Sequence, residues 1–272
     1  MLKQRVLVAA LLLPVGIWLI FLGGIFYLLV VAFFMVAAVW EYAGLFAALG
    51  RQPARWLMVL GALAFIVARF VASFRLDAHV LAAVTLITLL YHMLEYERGA
   101  PESATDFAIS LSGMVYVGFV GAYMVSLRQL PDGAWWVLLA LPVIWLADSG
   151  AYFAGLAWGQ RKLSPRLSPK KTWEGYLAGV VAGTLTGALL AFVYPQIAGR
   201  ALAHMTVLNG TILGALISTI APLGDLAESL FKRQAGVKDS GRLLPGHGGA
   251  FDRIDSWLWA GIIAFYFLRL VA

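Results

Sequence analysis

The sequence predicts an all-α, polytopic membrane protein with about nine transmembrane helices, and three observations support this prediction. Hydrophobic residues make up 62% of the chain and charged residues only 12%, about half of the charged fraction of an ordinary soluble domain. Apolar runs of about 17 to 25 residues, long enough to cross the roughly 30 Å hydrocarbon core as helices, recur along the chain. These runs lack the alternation of membrane β-strands, and helices satisfy their own backbone polar groups in lipid.

The spans follow one another with short polar connections. The N-terminal apolar run has no convincing small-residue cleavage site after it, so it is predicted to be an uncleaved first helix. Only Gly23 and Gly24 separate the first span from the second, and Arg69 is close enough to the end of the third to extend towards the interface. The predicted spans are 6–22, 25–48, 56–73, 78–94, 107–127, 134–157, 174–194, 206–223 and 256–271.

The basic residues predict one orientation for the whole chain. Lys3 and Arg5 place the N-terminus inside, and the basic loops after two, six and eight crossings then also fall inside. The C-terminus is therefore predicted to lie outside, in a protein of the cytoplasmic membrane. The net charge of +6 is explained by these loops, so nucleic acid is not an expected partner.

Polar character divides the chain into two parts. Residues 1–130 hold few ionisable groups within their spans, with Glu41 the main exception, and are predicted to be mainly scaffold. Residues 131–272 carry nearly all the polar motifs and are predicted to bear catalytic loops at the cytoplasmic face. The chain has no Cys and four scattered His, which excludes thiolate metal sites and argues against zinc.

The sixth span contains a carboxylate, Asp148, in an otherwise apolar helix. Ionised groups at this depth are costly and usually functional or paired. A functional role and a structural ion pair with a neighbouring helix both remain open for Asp148.

The connection after this span is rich in Ser, Pro and Lys. Two Ser-Pro steps end the helix and favour an extended segment. Hydroxyl and ammonium donors suited to phosphate oxygens follow one another at Ser168, Lys170, Lys171 and Thr172. Taken alone, this pattern favours a basic loop that sets topology and rests on anionic lipid.

Two pairs of carboxylates flank the polar segment between the last two spans. Asp225 with Glu228, and Asp252 with Asp255, are each three residues apart and so share one helix face. Either pair alone could cap a helix. Two pairs on both sides of a segment rich in Lys, Arg and Gly instead predict a site for Mg²⁺ and nucleotide phosphates.

The C-terminal polar segment closely resembles the phosphatidate cytidylyltransferase family, also called the CDP-diacylglycerol synthases. That family's motif is Ser-x-x-Lys-Arg, then Lys-Asp, then Pro-x-His-Gly-Gly-x-x-Asp-Arg-x-Asp. The segment Ser168 to Gly175, Ser-Pro-Lys-Lys-Thr-Trp-Glu-Gly, is similar to the same family. The residues in register with the C-terminal motif are Ser229, Lys232, Arg233, Lys238, Asp239, Pro245, His247, Gly248, Gly249, Asp252, Arg253 and Asp255.

The resemblance implies that CTP and phosphatidic acid react to give CDP-diacylglycerol and pyrophosphate, with Mg²⁺ as cofactor and a homodimer as the assembly. It implies metal ligation by Asp225 and Asp252, with Asp148 and Asp255 as further ligands or supporting groups. Substrate-binding roles fall to Ser168, Lys170, Lys171, Thr172 and Ser229. Catalytic roles fall to Lys232, Arg233, Lys238, Asp239, His247 and Arg253; for His247, a structural hydrogen bond is the alternative.

Three other classes of membrane protein fit the sequence less well. A transporter would line its path with Asp148 and Glu41 but would distribute polar residues through both leaflets, whereas here they gather at one face. A phosphotransferase that uses CDP-alcohols resembles a different pattern, Asp-x-x-Asp-Gly-x-x-Ala-Arg, which this chain lacks. A non-catalytic scaffold leaves the carboxylates beside the basic segments unexplained.

Overall fold

The computed structural model describes residues 13–241 and 248–272, and this part of the chain confirms the predicted helical membrane protein. Eight helical segments in it are long and apolar enough to cross a membrane. In chain order the elements are Leu13–Leu22 (α1), Gly24–Ala47 (α2), Arg55–Ala72 (α3), Asp77–Glu97 (α4), Ser103–Gly113 (α5), a π-helical Met114–Phe119, Tyr123–Gln129 (α6), Gly133–Trp158 (α7), Lys162–Ser164 (β1), Ser168–Thr172 (β2), Trp173–Ala198 (α8), Val207–Ile220 (α9), Pro222–Gln234 (α10) and Phe251–Val271 (α11).

The predicted first span extends beyond the described residues, and α1 is its described part. Gly23 and Gly24 have φ values of 65° and 52°, a backbone region that glycine adopts without steric cost. They therefore interrupt the helix where the sequence predicts a break. Lys3 and Arg5, on which the predicted orientation rests, lie outside the described residues, so the orientation stays a prediction.

Residues up to 126 form one compact unit together with residues 231–254. In this unit α3 packs against the π-helical segment, and a Cβ on Gly118 would lie 2.6 Å from the Cα of Ala62. Only glycine permits this approach of the two backbones. Phe65 and Met114 are fully buried beside it, so large apolar side chains fill the space on either side of the contact.

Arg69 does not extend to the interface, so that expectation was wrong. Its side chain is fully buried and its Nη2 lies 2.6 Å from Oδ2 of Asp77 at the start of α4. Nη1 donates to Ser126, and the guanidinium carbon lies 3.9 Å from the ring centre of Phe74. These partners compensate the positive charge of Arg69 within the unit, so the side chain does not need to reach the membrane interface.

Asp77→Ala is expected to destabilise the protein by about 3–5 kcal/mol, because it leaves the buried charge of Arg69 uncompensated. The measurement is thermal unfolding of the purified protein in detergent. Glu102→Ala is the matched control, since the Arg51–Glu102 ion pair lies at the surface (side chains 33% and 56% exposed) and surface ion pairs contribute about 0–1 kcal/mol. Equal melting temperatures for the two variants would contradict this account of Arg69.

Residues 127–230 form a second compact unit with residues 255–272. Its helices α7, α8 and α9 approach closely through glycine. A Cβ on Gly187 of α8 would lie 2.9 Å from the Cα of Gly214 on α9, and one on Gly179 would lie 2.8 Å from the carbonyl oxygen of Ala147 on α7. Gly179 and Gly187 are therefore packing residues, which allow neighbouring helices to approach closely.

In this second unit, Asp132 links the loop after α6 to the loop after α8. Asp132 forms an ion pair with Arg200 and accepts a hydrogen bond from the backbone N–H of Ala203. The hydrogen bond from Arg200 holds the pKa of the Asp132 carboxyl below its ordinary value. This ion pair is a structural link on a part of the unit that carries none of the predicted site residues.

The extended segment predicted after the sixth span is an antiparallel hairpin of β1 and β2. Lys162 pairs with Thr172, and Ser164 with Ser168. β2 tolerates Pro169 because, among the described residues, the sheet has only two strands, and each strand therefore has one edge where no N–H donor is needed. The hairpin adds a small sheet to the all-α prediction and carries Lys170 and Lys171.

Helical structure continues beyond the apolar run of the eighth predicted span. The predicted span ends at 223, whereas α10 begins at Pro222 and continues to Gln234. Pro222 suits the first helical position, and the Leu, Ala, Glu, Lys and Arg residues after it are good helix formers. The polar segment between the last two spans is therefore partly helical, and Asp225 to Arg233 lie on that helix.

Candidate functional site

Three carboxylates of the second unit, Asp225, Glu228 and Asp255, form a compact group that we call the carboxylate cluster. One ligand oxygen from each lies within 4.8 Å of the others. Asp225 and Glu228 are one turn apart on α10, and Asp255 is on α11. Gly224 makes the meeting possible, because a Cβ there would collide with the carbonyl oxygen of Asp255. Hard oxygen donors at this spacing suit a divalent cation.

A lysine from the hairpin reaches this cluster. Nζ of Lys171 lies 2.6 Å from Oδ2 of Asp225, and both side chains are partly exposed (27% and 36%). Asp148 interacts electrostatically with both of them. The structure thus brings together two of the four predicted metal ligands, Asp225 and Asp255, with a predicted phosphate-binding lysine, and Asp148 interacts with this group electrostatically.

Asp148 also lines a small cavity of the second unit. The other polar side chains of the cavity wall are Ser218 and Ser256, and the rest of the wall is apolar apart from backbone. The Asp148 side chain is exposed. Its carboxylate can therefore contact a polar ligand or water as well as neighbouring side chains.

The hairpin is held in place at its base by two side chains. Thr172 caps α8 by accepting a hydrogen bond from the backbone N–H of Gly175 (3.2 Å). The Glu174 carboxylate accepts from the backbone N–H groups of Gln160 (3.1 Å) and Arg161 (3.2 Å), just before β1. Fixing both ends of the hairpin limits the positions that Lys171 can take.

Lys232 and Asp252 form an ion pair in the first unit. Nζ of Lys232 lies 2.6 Å from Oδ1 of Asp252, and the side chains are only 10% and 9% exposed. Oδ2 of Asp252 accepts from the backbone N–H of Ser240 (3.0 Å), the Ser240 hydroxyl (3.0 Å) and the backbone N–H of Gly249 (2.9 Å). We call Lys232, Ser240, Gly249 and Asp252 the Asp252 cluster.

Glu41, on α2, contacts the same part of the first unit. Its Oε1 accepts from the backbone N–H of Ala250 (3.0 Å), and its Oε2 accepts from the backbone N–H of Phe251 (2.9 Å). Oε2 also lies 2.9 Å from the Ser240 hydroxyl, whose single proton it shares with Oδ2 of Asp252. The carboxylate therefore caps the N-terminal end of α11 from a distant helix, where a negative charge is favourable.

The other predicted site residues differ in exposure. Ser229 is buried, and its hydroxyl lies 3.4 Å from Oδ1 of Asp225. Ser168 is partly exposed, and His247 lies outside the described residues. The exposed members are Lys170, Arg233, Lys238, Asp239 and Arg253.

Two carboxylates were missing from the predicted site: Glu228, a member of the carboxylate cluster, and Glu41, which contacts the Asp252 cluster. Glu228 was recognised as sharing a face with Asp225 but was not counted as a ligand, although the three-residue spacing was the available signal. Glu41 was noted only as an unexplained charge in an apolar span. Its contacts are about 200 residues away in the chain, and no local pattern indicates them.

Comparison with known proteins gives matches along the whole chain. The model of the cytidylyltransferase family matches residues 3–271. The phosphatidate cytidylyltransferase of Synechocystis sp. is 33% identical over 301 aligned positions, which cover 98% of this chain and 97% of that protein. The enzyme of that name from Brucella suis is 33% identical over all of this chain and 94% of its own length. The one from Haemophilus influenzae is 47% identical over 125 residues, 46% of this chain and 42% of that protein.

Proposed function

The chain belongs to the cytidylyltransferase family, and we propose that it transfers the cytidylyl group of CTP to phosphatidic acid. The observation that carries the proposal is the similarity to phosphatidate cytidylyltransferases over nearly the full length of both proteins. The carboxylate cluster and its contact with Lys171 supply the chemistry that such a reaction requires. The products are CDP-diacylglycerol and pyrophosphate, as expected for a nucleotidyltransferase of phospholipid biosynthesis.

The carboxylate cluster fits Mg²⁺, because all its donors are carboxylate oxygens. In this proposal Asp225, Glu228 and Asp255 hold the ion. A bound Mg²⁺ would neutralise phosphate charge and favour one arrangement of the triphosphate. Lys171 adds a positive charge beside Asp225, and the exposed Lys170 of the same strand is available for a second phosphate.

The reaction needs charge neutralisation and alignment more than a strong base. A phosphate oxygen of phosphatidic acid forms a bond to the α-phosphorus of CTP, and the bond from that phosphorus to the bridging β-phosphate oxygen breaks. Pyrophosphate leaves with the electron pair of the broken bond. The nucleophile is already an oxyanion, so the protein mainly brings two polyanions together and holds them in line.

The membrane setting suits the lipid substrate. The protein is an integral membrane protein with eight described helices of spanning length and composition, and its bacterial relatives suggest the inner membrane. The proposal places the site at the cytoplasmic face, where CTP is available and the basic loops are predicted to lie. It also includes a homodimer, which light scattering of the solubilised protein would test.

The test of this function is an assay on the purified protein in mixed micelles of detergent and phosphatidic acid with labelled CTP and Mg²⁺. CDP-diacylglycerol and pyrophosphate are expected in equal amounts, and both are expected to disappear when EDTA removes the metal. ATP in place of CTP is the specificity control. Folded protein that yields neither product with several phosphatidic acids and divalent cations would refute the proposal.

A further inference from the structure

We propose that Glu41 is a positioning residue for the proposed reaction, acting by holding the Asp252 cluster in place from α2. The inference rests on the proposed function and assigns a role to a residue outside both family-like segments, Ser168 to Gly175 and Ser229 to Asp255. All the residues concerned belong to the first unit.

The first step is the way in which the Glu41 carboxylate is held. Both of its oxygens accept hydrogen bonds, from Ala250 on one side and from Phe251 and Ser240 on the other. Gly249 leaves room for it, since a Cβ there would collide with Oε2 of Glu41. A Cβ on Gly241 would likewise collide with Oε1. The surroundings are therefore shaped around a carboxylate, which accepts at both oxygens and donates at neither.

The second step is the link from Glu41 to Asp252. The Ser240 hydroxyl lies 2.9 Å from Oε2 of Glu41 and 3.0 Å from Oδ2 of Asp252. Three consecutive backbone N–H groups bind the two carboxylates: that of Gly249 donates to Asp252, and those of Ala250 and Phe251 donate to Glu41. The two carboxylates thus share one hydroxyl and one short backbone segment, so a movement of Glu41 changes the orientation of Asp252 towards Lys232.

Aromatic packing beside Glu41 strengthens the link. Tyr42 follows Glu41 on α2, and its ring centre lies 5.1 Å from that of Phe231 and 6.0 Å from that of Phe251. Phe231 precedes Lys232, and Phe251 precedes Asp252. Tyr42 therefore packs against the residue before each partner of the Lys232–Asp252 ion pair, while the adjacent Glu41 binds the segment before Asp252.

Glu41→Gln tests this role because it keeps the size of the side chain and removes one acceptor. Its NH₂ group must face backbone N–H donors at one of the two oxygen positions. We expect kcat to fall by about 10- to 100-fold, the usual effect of losing a group that orients a site residue, with KM for CTP little changed. Glu41→Asp, which keeps the charge, is expected to recover part of the lost kcat.

Asp132→Asn is the matched control, since Asp132, like Glu41, accepts from a backbone N–H and from a side chain, here that of Arg200, but contacts no residue of either cluster in the described structure. It is expected to lower the melting temperature without lowering kcat per folded molecule. If Glu41→Gln behaved in the same way, Glu41 would be merely structural and the inference would be overturned.

Hydrogen–deuterium exchange gives a readout that does not require turnover. In Glu41→Gln the backbone amides of residues 249–252 are expected to exchange faster than in the wild type, while those of α7 and α8 are unchanged. If the wild type made no CDP-diacylglycerol, the proposed function would fail, and exchange alone would then decide whether Glu41 holds the cluster. Unchanged exchange at 249–252 would overturn the inference in either case.

Discussion

Asp225→Asn is expected to lower kcat by on the order of 10²–10³-fold, the range found when one preorganised electrostatic group is removed from an active site. Asp225 supplies an oxygen to the carboxylate cluster and is also the partner of Lys171. The asparagine keeps the shape but takes a negative charge from the proposed metal site, so the Mg²⁺ concentration for half-maximal activity should rise. The measurement is the assay of CDP-diacylglycerol formation across a series of Mg²⁺ concentrations.

Lys171→Met separates the two roles of Asp225. It removes the ion pair but leaves all three carboxylates of the cluster in place. We therefore expect it to raise KM for CTP while leaving the Mg²⁺ dependence close to that of the wild type. If both variants had the same Mg²⁺ dependence as the wild type, the cluster would not be the metal site of the reaction.

The membrane architecture could be predicted from the sequence because hydropathy acts locally. Each span is a run of residues whose transfer into lipid is favourable, and lipid forces such a run to satisfy its own hydrogen bonds as a helix. Hydropathy says less about where a helix ends. The residues after Pro222 are polar yet good helix formers, so α10 continues to Gln234 beyond the apolar run.

The candidate site could be predicted where its residues share a helix turn or lie in one of the two family-like segments. The spacing of Asp225 and Glu228 indicates a shared helix face, and the approach of Asp255 follows from the family-like segment that contains it. The burial of Arg69 against Asp77 and the contacts of Glu41 with Ser240 depend instead on how distant helices pack. Such contacts are set by the tertiary structure, and a single sequence carries no signal for them.

Asp252→Asn is expected to lower kcat by a similar factor, on the order of 10²–10³-fold, for a different physical reason. Three donors converge on Oδ2 and the Lys232 ammonium is on Oδ1. The single oxygen of asparagine can serve only one of these sides, and its NH₂ group then faces donors on the other. The measurement is kcat per folded molecule, with circular dichroism and gel filtration as checks of folding.

The double variant Lys232→Gln/Asp252→Asn distinguishes loss of activity from loss of stability. Asp252→Asn leaves the nearly buried Lys232 without its negative partner oxygen, which is destabilising, whereas two neutral side chains avoid that cost. We expect the double variant to regain melting temperature but no activity. Activity restored together with stability would mean that the ion pair serves only the fold, and near-normal activity of Asp252→Asn alone would remove Asp252 from the catalytic machinery.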